Sequence, residues 1–127
     1  MNRKRVLIID DENVICKGCK MILDEMGYAC DHSLSGVNGL KTVMELPYDV
    51  LLLDMKLKDI DGMEILEKVK KAKPQLYVVV ITGYSTVKNA VKAMKLGAND
   101  YISKPFNDDD IIIAVRNAFK ESDTQTN

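Results

Sequence analysis

The sequence contains few of the residues that most often carry metal, redox or nucleophilic chemistry. It has one histidine, His32, and three cysteines, an odd number that predicts no disulfide framework. Its 18 basic and 19 acidic side chains leave a formal net charge of -1. A nearly neutral chain has no broad positive field with which to hold nucleic acid or an anionic membrane surface, so we expect direct binding to neither.

Long apolar runs are also missing. No run in the 127 residues approaches the roughly 20 that cross a bilayer, so we expect no membrane span and a cytoplasmic protein. A chain of this length can form one domain with a single well-filled core. Because the last seven residues are polar, we predict one domain over residues 1–120 and a polar C-terminal tail over residues 121–127.

Two of the cysteines, Cys16 and Cys19, form a C-x-x-C pair, a spacing that can indicate zinc or redox chemistry. The pair falls inside a helical pattern, and no second cysteine or histidine pair completes a zinc site. Cys19 also belongs to an apolar stripe that runs at helical spacing from Ile15 to Met26, which favours core packing. His32 follows no recognisable nucleophile motif, so we expect a structural role for it.

Strand-like and helix-like segments alternate along the chain without a break. The runs 6–9, 50–53 and 78–81 are apolar throughout, which is typical of strands covered on both faces inside a parallel sheet. The predicted strands are 5–9, 28–32, 49–53, 76–81 and 99–102, and the predicted helices are about 12–26, 36–46, 62–71, 85–95 and 108–120. Five βα units with right-handed crossovers predict an α/β fold, a doubly wound three-layer sandwich with a five-stranded parallel sheet.

Local patterns support the predicted helices. Asp61 and Glu64 have the spacing of a capping box at the start of the third helix. The fourth helix carries an apolar face at helical spacing, formed by Val87, Ala90, Val91 and Met94. Three consecutive isoleucines in the fifth helix, residues 111–113, cannot all point at one core, so we expect at least one of them on a contact surface.

Acidic residues follow two of the apolar runs. Asp10 and Asp11 come directly after the first strand, and Asp54 comes after the third. Because ligands of doubly wound sheets bind beyond the carboxyl ends of the strands, we expect these carboxylates to converge at a functional edge. Carboxylates about 4 Å apart repel by about 4 kcal/mol per pair at an effective dielectric constant of about 20. The cluster therefore needs a compensating cation or a chemical use, and carboxylate oxygens suit magnesium.

Taken together, these residues resemble the receiver domain of bacterial two-component response regulators. The resemblance covers about residues 4–120 and rests on Asp10-Asp11, Asp54, Thr82, Tyr101 and Lys104-Pro105. It implies the flavodoxin-like strand order 2-1-3-4-5, which the residues alone do not give.

The resemblance implies a phosphorylation site with a metal beside it. Asp54 matches the phosphoacceptor, whose carboxylate attacks phosphorus to give an aspartyl phosphate. Asp11 matches a direct ligand of Mg²⁺ (or Mn²⁺), and Asp10 matches the acid that usually acts through a bound water. Asp54 and the backbone carbonyl of Lys56 complete the implied ligand set. Three carboxylates, one lysine ammonium and one divalent cation carry no net charge, which suits phosphoryl transfer.

The resemblance also implies a switch. Thr82 and Lys104 match the hydroxyl and the ammonium that contact the phosphoryl group, and Tyr101 matches the aromatic residue that changes rotamer. The Lys104–Pro105 peptide bond is expected to be cis. The implied phosphodonor partner is a sensor histidine kinase or a phosphotransfer protein. The implied signalling surface is formed by helix 4, strand 5 and helix 5, and we expect a phosphorylation-dependent homodimer there.

The predicted function is therefore a phosphoacceptor receiver domain, a signalling protein rather than a turnover enzyme. The alternative is a degenerate receiver that acts only as a phosphorylation-independent protein-binding module. A flavodoxin-type mononucleotide binder would need a glycine-rich phosphate loop where this chain has Asp10, Asp11 and Glu12. A haloacid-dehalogenase-type phosphohydrolase would need an acid in place of Lys56. Neither of these two classes fits.

Overall fold

The five predicted strands form one parallel sheet in the computed structural model, which describes residues 4–126 and the side chains of residues 4–120. The strands are β1 (Arg5–Ile9), β2 (Ala29–Ser33), β3 (Val50–Asp54), β4 (Tyr77–Thr82) and β5 (Asp100–Ser103). All neighbouring pairs are parallel, and the order is β2-β1-β3-β4-β5. The predicted α/β class and the implied strand order are both confirmed.

Five helices join and follow the strands. They are α1 (Asn13–Glu25), α2 (Gly36–Glu45), α3 (Gly62–Ala72), α4 (Val87–Lys95) and α5 (Asp108–Thr126). The predicted boundaries agree within two residues except at the end of α5, which continues past the predicted end at residue 120. The side chains of the predicted polar tail, residues 121–127, lie outside the described residues. None of the helices in the described part of the chain is both long enough and apolar enough to span a membrane.

The sheet has an apolar core on each face because alternate side chains of a strand point to opposite sides. Val6 and Ile8 of β1 belong to the core on the side of α1 and α5. Leu7 and Ile9 belong to the core on the side of α2, α3 and α4. All four are at most 1% exposed. Fully burying such a side chain contributes about 1.5–3 kcal/mol, which explains why the central strands are apolar throughout.

All three cysteines are free and buried. Burial raises the pKa of Cys16 to about 11 and the pKa values of the other two thiols to about 12. The buried line of α1 is Cys16, Cys19 and Leu23, whereas Ile15 and Met26 are only partly buried. The core-packing role predicted for Cys19 is confirmed. The buried stripe of α1 is shifted around the helix by about one residue from the predicted stripe.

The apolar face predicted for α4 does not join the core. Val87, Val91 and Met94 are 83%, 46% and 47% exposed, and Ala93 is the buried residue of this helix. Helical periodicity shows that a face is apolar, but it does not show which face meets the sheet. Here the helix approaches the sheet through the small Ala93, and the apolar face remains at the surface.

The predicted capping box at α3 forms only in part. The Asp61 carboxylate accepts a hydrogen bond from the N–H of Met63 at 2.9 Å, as expected of an N-cap. Glu64 instead pairs with Lys68, one turn along the same helix, at 3.8 Å.

Gly62 closes the connection between β3 and α3. Its N–H donates to the carbonyl of Met55 at 3.1 Å. A Cβ at position 62 would lie 2.5 Å from the carbonyl oxygen of Asp54 and 2.5 Å from the Cα of Met55. Both are backbone atoms, which cannot rotate away, so the end of β3 requires glycine here.

We therefore expect Gly62→Ala to lower the free energy of unfolding by about 1–3 kcal/mol, the usual cost of overpacking. Gly18→Ala is a matched control, because a Cβ at this exposed position in α1 meets nothing within 4 Å. The control should raise stability by about 0.5–1 kcal/mol through helix propensity. Urea unfolding measures both, and a neutral Gly62→Ala would contradict the packing argument.

Candidate functional site

Strand register brings the candidate acids together. β1 pairs with β3 so that Ile9 lies opposite Leu53, which places the next residues, Asp10 and Asp54, side by side at the carboxyl edge of the sheet. One carboxylate oxygen from each of Asp10, Asp11 and Asp54 lies within 4.8 Å of the other two. The expected convergence of the three acids is present in the structure.

The two acids that end the central strands are held in the same way. Asp10 is fully buried and Asp54 is 3% exposed. The Oδ1 atom of Asp10 accepts a hydrogen bond from the N–H of Glu12 at 2.9 Å, and Oδ1 of Asp54 accepts one from the N–H of Lys56 at 3.1 Å. In each case the N–H of the residue two positions later in the chain fixes Oδ1, and Oδ2 points away from that N–H.

Both Oδ2 atoms face the ammonium of Lys104. Its Nζ lies 2.9 Å from Asp10 Oδ2, 3.1 Å from Asp54 Oδ2 and 3.6 Å from a carboxylate oxygen of Glu12. The contact with Asp54 has hydrogen-bond geometry. The closer contact, with Asp10 Oδ2, is a buried ion pair. One ammonium thus forms ion pairs with two carboxylates that are almost completely buried.

The charges in this cluster shift two pKa values. Burial raises the pKa of Asp10 above its ordinary value of 3.8, and the nearby Asp54 carboxylate adds to the rise, although Lys104 and the Glu12 amide favour the ionised form. Burial alone would lower the pKa of Lys104, but the carboxylates of Asp10 and Asp54 outweigh it and raise this pKa. The cluster therefore stabilises the positively charged form of Lys104 at its centre.

The acids are suitable ligands for a divalent cation. Among residues 4–120, Asp10, Asp11 and Asp54 are the one group of three acidic, histidine or cysteine side chains close enough to hold a metal ion. Their hard oxygens match the preference of Mg²⁺, and the three carboxylates outnumber the one ammonium beside them, that of Lys104. Within residues 4–120, neither the cysteines nor His32 belongs to another group of this kind.

Two further candidate residues lie at the same edge of the sheet. Thr82 is the fully buried last residue of β4, and its Oγ1 accepts a hydrogen bond from the N–H of Tyr84 at 3.1 Å. The N–H of Lys104 donates to the Thr82 carbonyl at 2.9 Å, and the Lys104–Pro105 peptide bond is cis.

Tyr101 is turned towards the core on the α3 and α4 side of the sheet. Its hydroxyl is buried without a hydrogen-bond partner in the described part of the chain. A buried hydroxyl without a partner costs about 1–3 kcal/mol.

Two loop contacts beside the site could not be predicted from sequence. The ammonium of Lys56 lies over the ring of Tyr84, 4.3 Å from its centroid, and joins the loops that follow β3 and β4. Ser103 Oγ donates to Ser85 Oγ at 2.7 Å and joins the β4–α4 loop to β5. Both pairs depend on side-chain directions in loops, for which the sequence gives no periodic signal.

The match to a family model and the match to a curated relative indicate the same protein family. Residues 6–116 match the family model of the response regulator receiver domain. The chain is 38% identical over 120 residues to a putative NtrX-like response regulator of Rickettsia typhi, an alignment that covers 93% of this chain and 25% of the relative. The chain thus spans about a quarter of that relative's length.

Solved structures agree with this match. A CheY-like response regulator receiver domain protein from Methanospirillum hungatei JF-1 superposes with a TM-score of 0.94 at 32% identity, covering 98% of this chain and 99% of that one. The beryllofluoride-activated NtrC4 receiver domain dimer gives a TM-score of 0.87 at 37% identity, covering 92% and 97%.

The charge cluster predicts a pH-dependent gain in stability for Asp10→Asn in metal-free buffer. A carboxyl whose pKa rises on folding stabilises the fold below its unfolded pKa, and that contribution is lost as pH rises through the folded pKa. Near neutral pH the variant avoids burying this charge, so we expect it to be more stable than wild type. The gain should vanish below the ordinary value of 3.8.

Urea unfolding across this pH range, with a chelator present, measures the effect. Asp49→Asn is the control, because Asp49 accepts a backbone N–H from Arg5 and is exposed. If the trio binds Mg²⁺, adding the ion should favour wild type over Asp10→Asn, because a cation that binds only the folded state stabilises it. A variant that is less stable than wild type at neutral pH without metal would contradict the argument.

Proposed function

Since the chain belongs to the response regulator receiver domain family, we propose that it is a two-component phosphoacceptor that carries its signal as an aspartyl phosphate on Asp54. One observation supports this choice above the others. A nearly buried carboxylate ends β3 at the edge of the sheet where two further acids and one ammonium converge.

The proposed reaction is a single phosphoryl transfer. An oxygen of Asp54 attacks phosphorus, the bond from phosphorus to the donor's leaving group breaks, and the leaving group keeps the electron pair. The N–H of Lys56 holds Oδ1 of Asp54, and Lys104 lies 3.1 Å from Oδ2. We assign to Lys104 the role of neutralising the oxygens of the transferred group. The donor partner is a sensor histidine kinase or a phosphotransfer protein.

The same acids are proposed to hold Mg²⁺, or Mn²⁺ in its place. Asp10, Asp11, Asp54 and the backbone carbonyl of Lys56 would be the protein ligands. Once bound, the cation supplies the positive charge that phosphoryl transfer requires, because three carboxylates otherwise exceed the one ammonium. The convergence of the three carboxylates within 4.8 Å of one another supports this assignment.

We also propose a conformational response that involves residues around the site. Oγ1 of Thr82 accepts a hydrogen bond from Tyr84, so its own hydrogen remains available for a phosphoryl oxygen. We propose that Thr82 turns towards the phosphoryl group and that Tyr101 changes its environment with it. The unpaired hydroxyl of Tyr101 supports a switch, because no hydrogen bond has to break when this ring moves.

The rival function is a degenerate receiver that binds partners without phosphorylation. Such a protein needs no nucleophile, ammonium or acid pair, yet Asp54, Lys104, Asp10 and Asp11 are all present and close together. We therefore favour the phosphoacceptor, a signalling domain over about residues 1–120 that promotes its own phosphorylation and dephosphorylation without being a turnover enzyme.

The direct test is incubation with Mg²⁺ and a small phosphodonor such as acetyl phosphate, followed by intact-mass analysis. Wild type should gain one phosphate, and Asp54→Asn should gain none, because an amide oxygen is not a competent nucleophile. Asp49→Asn is the matched control and should be phosphorylated like wild type. Equal modification of wild type and Asp54→Asn, or no modification of either, would contradict the proposal.

The exposed apolar face of α4 favours a second proposal, a homodimer formed on phosphorylation. Val87, Val91 and Met94 of α4 and Ile113 of α5 are all at least 46% exposed. α4 has three lysines and no acid, whereas α5 begins with three aspartates, so two copies can present complementary charges. The similarity to a receiver domain dimer in its beryllofluoride-activated form supports this surface.

Sedimentation with and without beryllofluoride tests the dimer. We expect a shift from monomer towards dimer mass on addition of the phosphoryl mimic. Val91→Asp should abolish the shift, because it places a desolvated charge at the centre of the apolar face. Met21→Asp on α1, a residue that is also exposed, is the control and should leave the shift intact. An unshifted wild type, or a dimer that survives Val91→Asp, would contradict the proposal.

A further inference from the structure

The loop between β3 and α3 is tied to the start of α2 by one carboxylate. Oδ1 of Asp59 accepts a hydrogen bond from the N–H of Gly36 at 3.0 Å. Oδ2 accepts one from the N–H of Val37 at 3.1 Å and one from the hydroxyl of Ser35 at 2.7 Å. The free N–H groups at the start of a helix need acceptors, and here a residue from another loop supplies them.

Close packing reinforces this tie. A Cβ at Gly36 would collide with Cγ2 of Ile60, would lie 2.9 Å from Cδ1 of Leu57 and would lie 3.0 Å from Oδ1 of Asp59. Gly36 is buried beneath these three loop residues. A side chain at position 36 would displace these three loop side chains, so the hydrogen bonds and the packing support the same arrangement.

The tie is present throughout the physiological pH range. The N–H of Val37 and the hydroxyl of Ser35 are the main causes that lower the pKa of Asp59 to about 2. Asp59 therefore remains ionised well below neutral pH. A carboxylate at a helix N-terminus also interacts favourably with the helix dipole.

The other parts of the loop are fixed close to Asp54. The N–H of Lys56 donates to the Asp54 carboxylate, and Lys56 forms an isolated antiparallel bridge with Asp61. The N–H of Gly62 donates to the carbonyl of Met55. Between these points, Asp59 hydrogen-bonds the loop to the start of α2.

We propose that Asp59 is a positioning residue for the metal site. By holding the β3–α3 loop against α2, it keeps the backbone carbonyl of Lys56 where the cation would be bound. This inference rests on the proposed function, because it assumes that Lys56 contributes a ligand. It connects the start of α2 to metal affinity, although no residue of α2 is itself a candidate ligand.

The test is the dissociation constant for Mg²⁺, measured by isothermal titration calorimetry on folded protein. Asp59→Asn keeps one acceptor oxygen but replaces the other with an amide group that cannot accept. We expect binding about threefold to tenfold weaker than in wild type, below the 10–100-fold typical of groups bonded directly to a ligand. Asp49→Asn is the matched control, since Asp49 also accepts a backbone N–H, from Arg5, and it should bind Mg²⁺ like wild type.

A second readout separates positioning from a general loss of structure. At saturating Mg²⁺, Asp59→Asn should be phosphorylated to the same extent as wild type, because excess metal compensates for weaker binding. If this variant does not fold, Ser35→Ala removes one of the three donors and should weaken Mg²⁺ binding in the same direction by a smaller factor.

The outcomes distinguish the inference from the function on which it rests. A wild type that binds Mg²⁺ with an Asp59→Asn variant of equal affinity would overturn the inference and leave the proposed function standing. A wild type that binds no Mg²⁺ would overturn both. Weaker binding in Asp59→Asn, unchanged binding in Asp49→Asn and rescue by excess metal would support the inference.

Discussion

The site depends on an excess of negative charge in a region with little solvent exposure. Asp10 and Asp54 are nearly buried, and Lys104 lies within 3.1 Å of both. Bringing carboxylates out of water is costly unless they are paired and hydrogen-bonded. A single ammonium cannot satisfy both acids together with Asp11. The fold tolerates the remaining negative charge because a backbone N–H fixes one oxygen of each buried acid.

The sheet and the acid cluster could both be predicted from the sequence, and for the same physical reason. Strands covered on both faces must be apolar throughout, which made the runs ending at Ile9 and Leu53 recognisable. Once these two strands are parallel neighbours, the residues after them must meet at one edge, so Asp10 and Asp54 could be placed together. The strand order itself came from the family resemblance, because local pattern contains little information about which strands pair.

Features that depend on the orientation of a helix or a loop could not be predicted. The apolar residues of α4 were recognised, but periodicity alone could not show that Val87 and its neighbours face outward. Asp59 was not identified because its three partners lie 22 to 24 residues away in sequence, and only the tertiary contact between the loop and α2 brings them together. Side-chain pairs such as Lys56 and Tyr84 form for the same kind of reason.

The burial of all three cysteines has a practical consequence. Thiol reagents attack the thiolate, and groups whose pKa values are about 11 to 12 have almost none of it at neutral pH. A cysteine introduced on the exposed face of α4, for instance in place of Val87, would therefore accept a maleimide probe against a nearly silent background. Spectroscopic labels could then report on the surroundings of this helix in a protein that keeps every native residue of its core.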